Sequence, residues 1–270
     1  MTIQILVSCM HLVDAGEFLK KSNAQSDVLI VDQCDRDAVE EFDFVDAKGD
    51  SHHTKVIHTT ERGLSRSRNM AIANAWCDIC MISDDDEVYS DGYPAAIVNA
   101  FEQTKADVVI FKCNIVDVNT NKTLRIVGFE RGEVGLRQIF KTGSWQITFM
   151  RQSVTQHNVC FDVMMGSGTG NGAGEENKFL MDCRRAGMSM STDSFVSAVV
   201  YEGGTSQWFK GYNEKFFRDK GWQVRRTFGN VVGFLYSVYY VLSKKQMYGK
   251  DMSMPAALKA VMKGYFEKRG

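Results

Sequence analysis

Four short runs of β-branched and apolar residues, at 3–7, 28–31, 55–58 and 79–82, recur through the first third of the chain. Each has the length of a strand buried on both faces. Such strands belong to parallel sheets, whose neighbours are joined by crossover helices. The intervening segments supply those helices. Residues 14–21 make a short one. Residues 65–76 make a better one, with Met70, Ala71, Ala73, Ala75 and Trp76 as its apolar positions, and residues 91–104 place Ala95, Ile97, Val98 and Phe101 inward. Residues 108–118 follow as a long strand. This βαβα alternation predicts an α/β fold, a largely parallel sheet covered by helices on both faces.

Beyond residue 118 the pattern loosens. Residues 119–150 read as hairpin and edge material, with Asn119-Thr120-Asn121 as a turn. The glycine-rich run from Gly166 to Gly174 is too permissive for a regular element. It leads into a helix start with Glu175 and Glu176 in the first turn, where acids favour the helix dipole. Residues 255–269 predict a last helix with Leu258, Val261, Met262, Tyr265 and Phe266 on one face. With only two prolines, Pro94 and Pro255, no Pro-rich linker divides the chain.

The formal net charge of -1 conceals an asymmetry: residues 1–206 carry 19 basic against 29 acidic side chains, and residues 207–270 carry 13 against 4. A basic, aromatic tail on an acidic body is expected to face an anion, either a membrane surface or a phosphorylated ligand. The seven cysteines are odd in number and scattered. The one CxxC, Cys77 and Cys80, has no second pair to complete a zinc site, so the thiols are expected to be buried in a reducing compartment. The N-terminus opens directly on a strand and has no secretory character. The longest apolar stretch, 231–242, is short of the ~20 residues a spanning helix needs. The chain is read as cytoplasmic, with no nucleic-acid partner.

The chemistry concentrates at strand ends. Ser83-Asp84-Asp85-Asp86 directly follows the fourth strand, and ligands of open α/β sheets bind beyond the carboxyl ends of the strands. Consecutive carboxylates repel one another, and an oxygen-seeking divalent cation relieves that repulsion. An exposed acidic turn is the structural alternative. Asp32 and Asp35 follow the second strand, where acids accept hydrogen bonds from a ribose or base or simply make a turn. Arg62, Arg66 and Arg68 surround the start of the helix before the acidic strand, an anion site or a counter-charge to the aspartates. The run Gly168-Thr169-Gly170-Asn171-Gly172-Ala173 satisfies a loose dinucleotide pattern but follows no buried strand and opens a helix with two acids, which would repel a pyrophosphate. It fits a mobile loop that delivers Glu175 or Glu176 to a substrate. His52-His53 is expected in a solvated polar loop, and no serine-hydrolase elbow or Walker loop is present.

In this order, the strand ending at Ser8, the acids after strand two, Gly63-Leu64-Ser65-Arg66-Ser67-Arg68-Asn69, Ile82-Ser83-Asp84-Asp85-Asp86-Glu87 and Gly174-Glu175-Glu176 resemble the family-2 inverting glycosyltransferases of the GT-A fold, especially bacterial polysaccharide-building members. The resemblance covers about residues 3–220. It implies a Rossmann-like sheet, with 1–118 as the nucleotide-sugar half, 119–220 as the acceptor half, and 221–270 as a helical C-terminal extension. It implies Mn2+ or Mg2+ held by the DxD-type run, with Asp85 the principal ligand, Asp84 nearer the ribose and Asp86 in support. Ser8, Asp32, Asp35, Arg62, Arg66 and Arg68 would line the nucleotide-sugar site, Asp32 at the uracil or ribose. Glu176 would be the catalytic base, with Glu175 the alternative. The implied donor is a UDP-sugar and the acceptor a saccharide or lipid-linked saccharide. The basic aromatic C-terminal segment would then make peripheral contact at an anionic membrane or, as the alternative, pack back on the catalytic domain as a helix. One departure stands out: the family's late histidine has no counterpart in residues 201–207, and Thr205, Ser206 or Lys210 would take over its phosphate contact. The rivals are a sugar-1-phosphate nucleotidyltransferase, which would place a glycine- and arginine-rich loop after strand one, and a non-catalytic nucleotide- or saccharide-binding relative.

Overall fold

The structure, a computed structural model, describes residues 1–171, 173–202 and 211–269. Strands β1 (Ile3–Met10), β2 (Asp27–Gln33), β4 (Ser51–Thr59) and β5 (Ile79–Asp84) are mutually parallel in the order β4-β2-β1-β5. Beyond β5 the sheet continues through β10 (Ile147–Met150), antiparallel to both neighbours, into β7 (Val108–Asp117) and the parallel β11 (Met190–Glu202). At the two edges, β3 (Ala38–Val45) pairs antiparallel with β4, and the three-residue β6 (Glu87–Tyr89) pairs antiparallel with β11. The short β8 (Thr123–Val127) and β9 (Gly132–Glu133) pair with β7 and β11.

Both faces of the central strands are buried, as their unbroken apolar runs require. Ile5, Val7, Val28 and Ile30 point into one core with α1 (Ala15–Lys21) and α3 (Tyr93–Thr104). Leu6, Leu29, Val31 and Ile57 point into the other, with α2 (Leu64–Asn74) and α6 (Glu175–Arg185). The short helices α4 (Leu136–Lys141) and α5 (Arg151–Gln156) flank β10. This is the mostly parallel α/β fold expected, with helices on both faces and a helical C-terminal segment.

That segment holds α7 (Glu214–Ser243), α8 (Lys245–Tyr248) and α9 (Met254–Phe266). α7 breaks at Gly229, whose φ of 77° and ψ of -166° are open in practice only to glycine. The chain reverses there, so the limb 230–243 runs back along the limb 214–228. Tyr240 comes to 6.4 Å from the Phe216 ring. α9 shares one core with both limbs and meets the first limb through two glycines. A Cβ at Gly221 would lie 1.9 Å from the Val261 carbonyl, and one at Gly264 1.7 Å from that of Arg218. The boundary expected at 220/221 falls inside the first limb.

Two sequence expectations are corrected here. His52 and His53 lie in β4, not in a solvated loop. They are kept in the edge hairpin by acids, His52 Nε2 at 3.2 Å from Asp46 and His53 Nδ1 at 2.9 Å from Asp43. All seven cysteines are free thiols, but Cys160 is exposed rather than buried.

Candidate functional site

The carboxyl ends of β1, β2, β4 and β5 deliver Ser8, Asp32, His58 and Asp84 to one rim of the sheet. α2 starts beside this rim because Gly63 ends its preceding loop at a φ of 119° and donates its N–H to Gln33 Oε1 at 2.7 Å. Ser67 then donates its hydroxyl to Ser8 Oγ at 2.9 Å. Ser8 is thereby buried under α2.

Arg68 lies one position further on, and only 1% of its surface is exposed. Its guanidinium donates to Asp84 Oδ1 at 2.8 Å and to Glu175 Oε1 at 3.0 Å, and its flat face lies 5.4 Å from the Phe161 ring centroid. Burial lowers the pKa of such a group, but the two carboxylates more than compensate and Arg68 stays charged. One side chain therefore ties the first acid of the acidic run to the first acid of the distant glutamate pair.

Glycines make the approach possible. The backbone carbonyl of Met165 accepts from Ser65 Oγ at 2.8 Å, and that of Ser167 accepts from Leu64 N at 3.1 Å. A Cβ on Gly166, whose φ is 95°, would come within 3.1 Å of the Glu175 carboxyl carbon. The glycine-rich segment expected to be mobile is thus tied to the start of α2. It also occupies the first helical N–H there, one of those expected to meet an anion.

The acidic run divides into distinct environments. Asp84 is half-buried, held by Arg68 and by the Ser144 hydroxyl at 3.3 Å. Asp85 and Asp86 head the turn at the surface. Although both reach solvent, the surrounding chain strips part of their hydration. This loss and Asp84 raise Asp85, and the same two effects with Asp85 lift Asp86 to about 6. Glu87 is buried in β6. Burial, then Asp84, pushes its pKa well up, and its Oε1 accepts the Asp84 N–H at 2.8 Å. The chemistry of these side chains, oxygen alone, is that of a hard divalent cation's ligands, although their carboxylates do not converge on one point.

Glu176 follows Glu175 in the first turn of α6 and is half-buried. Burial foremost, and then Glu175, lifts its carboxyl to about 8, against the pull of Arg68 and Lys220. Lys220, from the first limb of α7, is itself lowered by burial. It lines a cavity of about 430 Å³ between the glycine-rich segment and α7, together with Asn171, Lys215, Phe216 and Gln223. Thr205, Ser206 and Lys210 lie outside the described residues.

A second cavity of about 430 Å³ opens over Asp32, flanked by His11, Leu12, Asp35, Arg36 and His58. Asp32 accepts the Leu12 N–H at 2.9 Å and meets His58 Nδ1 at 2.8 Å. Burial raises its pKa, but these contacts outweigh that and leave it below the ordinary value. Arg36 reaches His58 Nε2 at 3.0 Å. The ligand atoms of Asp32, Cys34 and His58 lie within 4.8 Å of one another, a grouping able to hold a metal. Among the described residues, the carboxylates of Asp84, Asp85 and Asp86 do not converge as closely. His58 and Cys34, which sequence reasoning missed, carry no local motif that could have marked them. Asp35 is exposed and pairs with Arg62 at 2.6 Å, and Arg66 is exposed nearby.

A parallel sheet with acids converging on one rim from β2, β5 and α6 defines a class of α/β protein built around a polar ligand at its strand ends. Residues 15–168 match the family described as Glycosyl transferase family 2, and the chain belongs to that family. No curated protein matches it. Its fold is similar to that of Staphylococcus aureus TarS, residues 1–349, in complex with UDP-GlcNAc, at 14% identity and a TM-score of 0.64. The match covers 98% of this chain and 82% of that one. The UDP complex of the same TarS fragment gives a TM-score of 0.60 at the same identity, with 98% and 81% covered.

Proposed function

We propose that the chain transfers a sugar from a nucleotide-sugar, a UDP-sugar as in the TarS complex, to a hydroxyl of a saccharide or lipid-linked saccharide, with inversion. The observation that carries this reading is the Arg68 bridge, which joins Asp84 to Glu175 and so brings near each other the two acidic motifs to which this reading gives the donor and the acceptor. Residues 1–118 form the donor half and 119–220 the acceptor half, and the extension, expected from 221, begins with the whole of α7. The cavity over Asp32 takes the nucleoside, with Asp35, Arg62 and Arg66 at its rim. Ser8 and Arg68, both buried, act by positioning.

Glu176 takes the proton of the acceptor hydroxyl. The acceptor oxygen forms its bond to the anomeric carbon as the carbon–oxygen bond to the diphosphate breaks, and the electron pair leaves with the nucleoside diphosphate. Asp85, with Asp84 and Asp86 in support, would hold Mn2+ or Mg2+, which supplies positive charge to the departing diphosphate. A carboxyl lifted to about 8 is a stronger base than an ordinary glutamate, which suits proton removal from an alcohol. In this reading the chain works as a peripheral protein on the cytoplasmic face of a membrane, in polysaccharide assembly.

The test is a panel of nucleotide-sugars with Mn2+ or Mg2+ and saccharide acceptors, scored for nucleoside-diphosphate release. Release from a UDP-sugar that depends on metal, and falls at least tenfold in Asp85→Asn, is expected. No release from any donor, with metal bound and acceptors supplied, would refute the reading. Metal-dependent nucleotide binding unchanged in Asp85→Asn would favour the non-catalytic alternative.

A further inference from the structure

The second limb of α7 has an unusual surface. From Asn230 to Ser243 it contains no charged residue. Its outer side exposes Val231 at 72%, Leu235 at 62%, Tyr239 at 61% and Leu242 at 54%, spaced four, four and three residues apart so that they form one stripe. A water-facing stripe of this kind is what a partner covers. The residues around it identify the partner. Lys244, Lys245 and Lys250 follow the limb directly. All are exposed, and none has an ion-pair partner among the described residues. An apolar stripe bordered by unpaired cations complements the apolar interior and anionic surface of a phospholipid bilayer. No helix among the described residues is long and apolar enough to cross one, so the limb would lie in the interface plane.

We infer that Val231, Leu235, Tyr239 and Leu242 form a membrane-docking face that inserts into an anionic bilayer surface, with Lys244, Lys245 and Lys250 on its headgroups. This deepens the transferase reading and rests on it for one consequence. The inner side of the same limb backs the cavity next to Glu176: Tyr240 lies 5.4 Å from the Lys220 ammonium and 6.4 Å from the Phe216 ring, and both of those residues line the cavity. Docking therefore sets the acceptor cavity one helix thickness from the bilayer, within reach of an acceptor whose anchor stays in the lipid.

The experiment is co-sedimentation of the full chain with vesicles of phosphatidylcholine alone or with 30% phosphatidylglycerol, with UDP binding measured separately without vesicles. The wild type is expected to sediment with the anionic vesicles and to be released by about 0.5 M salt. Leu235→Asp/Tyr239→Asp should lower partitioning at least tenfold, and Lys244→Glu/Lys245→Glu several-fold. Both variants should keep wild-type UDP binding and melting temperature, since all four side chains are exposed. Wild type left in the supernatant, or Leu235→Asp/Tyr239→Asp sedimenting like wild type, overturns the inference. So does a wild-type oligomer that the same variant dissociates without any vesicle binding, because the face would then meet a second copy. Loss of UDP binding in the wild type would instead count against the transferase reading and leave the vesicle result to be read on its own.

Discussion

Replacing Arg68 by methionine tests how the two acidic motifs are held together. The guanidinium is 1% exposed and is bonded to Glu175, whose side chain is 6% exposed, and Asp84, at 29%. Methionine fills most of the stem volume but leaves two carboxylates facing each other without a cation. Removing one partner of a buried ion pair costs about 3–5 kcal/mol, much of it the cost of the charge left behind. Asp84 can recover water through its exposed edge, so a loss of about 3 kcal/mol is expected. For a domain of this size that lowers the melting temperature by about 6–12 °C. Urea unfolding of wild type, Arg68→Met, Glu175→Gln and the double variant, read by tryptophan fluorescence, gives a coupling free energy for the pair. The double variant should be more stable than Arg68→Met, since it removes one of the stranded charges. If Arg68→Met unfolds within about 1 kcal/mol of wild type, or the two substitutions simply add, Arg68 does not join the motifs energetically.

Glu176, lifted to about 8, must lose its proton to act as base, so kcat/KM should rise about tenfold per pH unit below pH 8 and level off above it. Glu176→Gln should lower the rate at least 100-fold and abolish that slope. A slope unchanged in the variant would assign the base to another group. The same shift makes a stability statement. Because the folded state holds this proton more tightly than the unfolded chain does, its contribution is fully present below the ordinary glutamate pKa and is lost as pH rises through about 8. Gly264→Ala would press a methyl group onto the Arg218 carbonyl, 1.7 Å away, and should cost about 1–3 kcal/mol despite the better helix propensity of alanine. A thermal melt unchanged or raised would show that α7 and α9 are not in close contact.

The strands most legible in the sequence were those buried on both faces. β1, β2 and β5 read as continuous apolar runs because each packs against helices above and below. Of the β3–β4 hairpin only residues 55–58 read as a strand. It is an edge, with charged cross-strand partners such as Lys55 and Glu41 at 3.0 Å, and in β3 only Phe42 and Phe44 alternate with acids, too short a span to mark it. Glu87 read as the end of an acidic turn but is buried as the first residue of a strand, a position fixed by pairing with Val200 more than a hundred residues away. The acidic run, the glutamate pair and Asp32 were visible because charge at a strand end is conspicuous. Arg68 was also singled out, as a contact to the nucleotide-sugar. Its burial depends on Asp84 and Glu175 meeting in space, which no local pattern encodes. The reversal inside 214–243 was missed because a glycine in a helical stretch usually means no more than a small loss of stability.

That reversal gives the C-terminal arm a particular mechanical character. Had the helix run straight through residue 229, its last fourteen residues would extend about 21 Å further from the body at 1.5 Å per residue. Instead, a single backbone setting folds them flat. The direction of the arm is thus stored in one residue, while its length is stored in the limb beyond. That length is not free either, because α8 and α9 return from its end to pack on the first limb and bring Arg269 to Asn171 in the glycine-rich segment at 2.7 Å. A side chain at 229 would keep every contact surface intact in composition while sending it the wrong way.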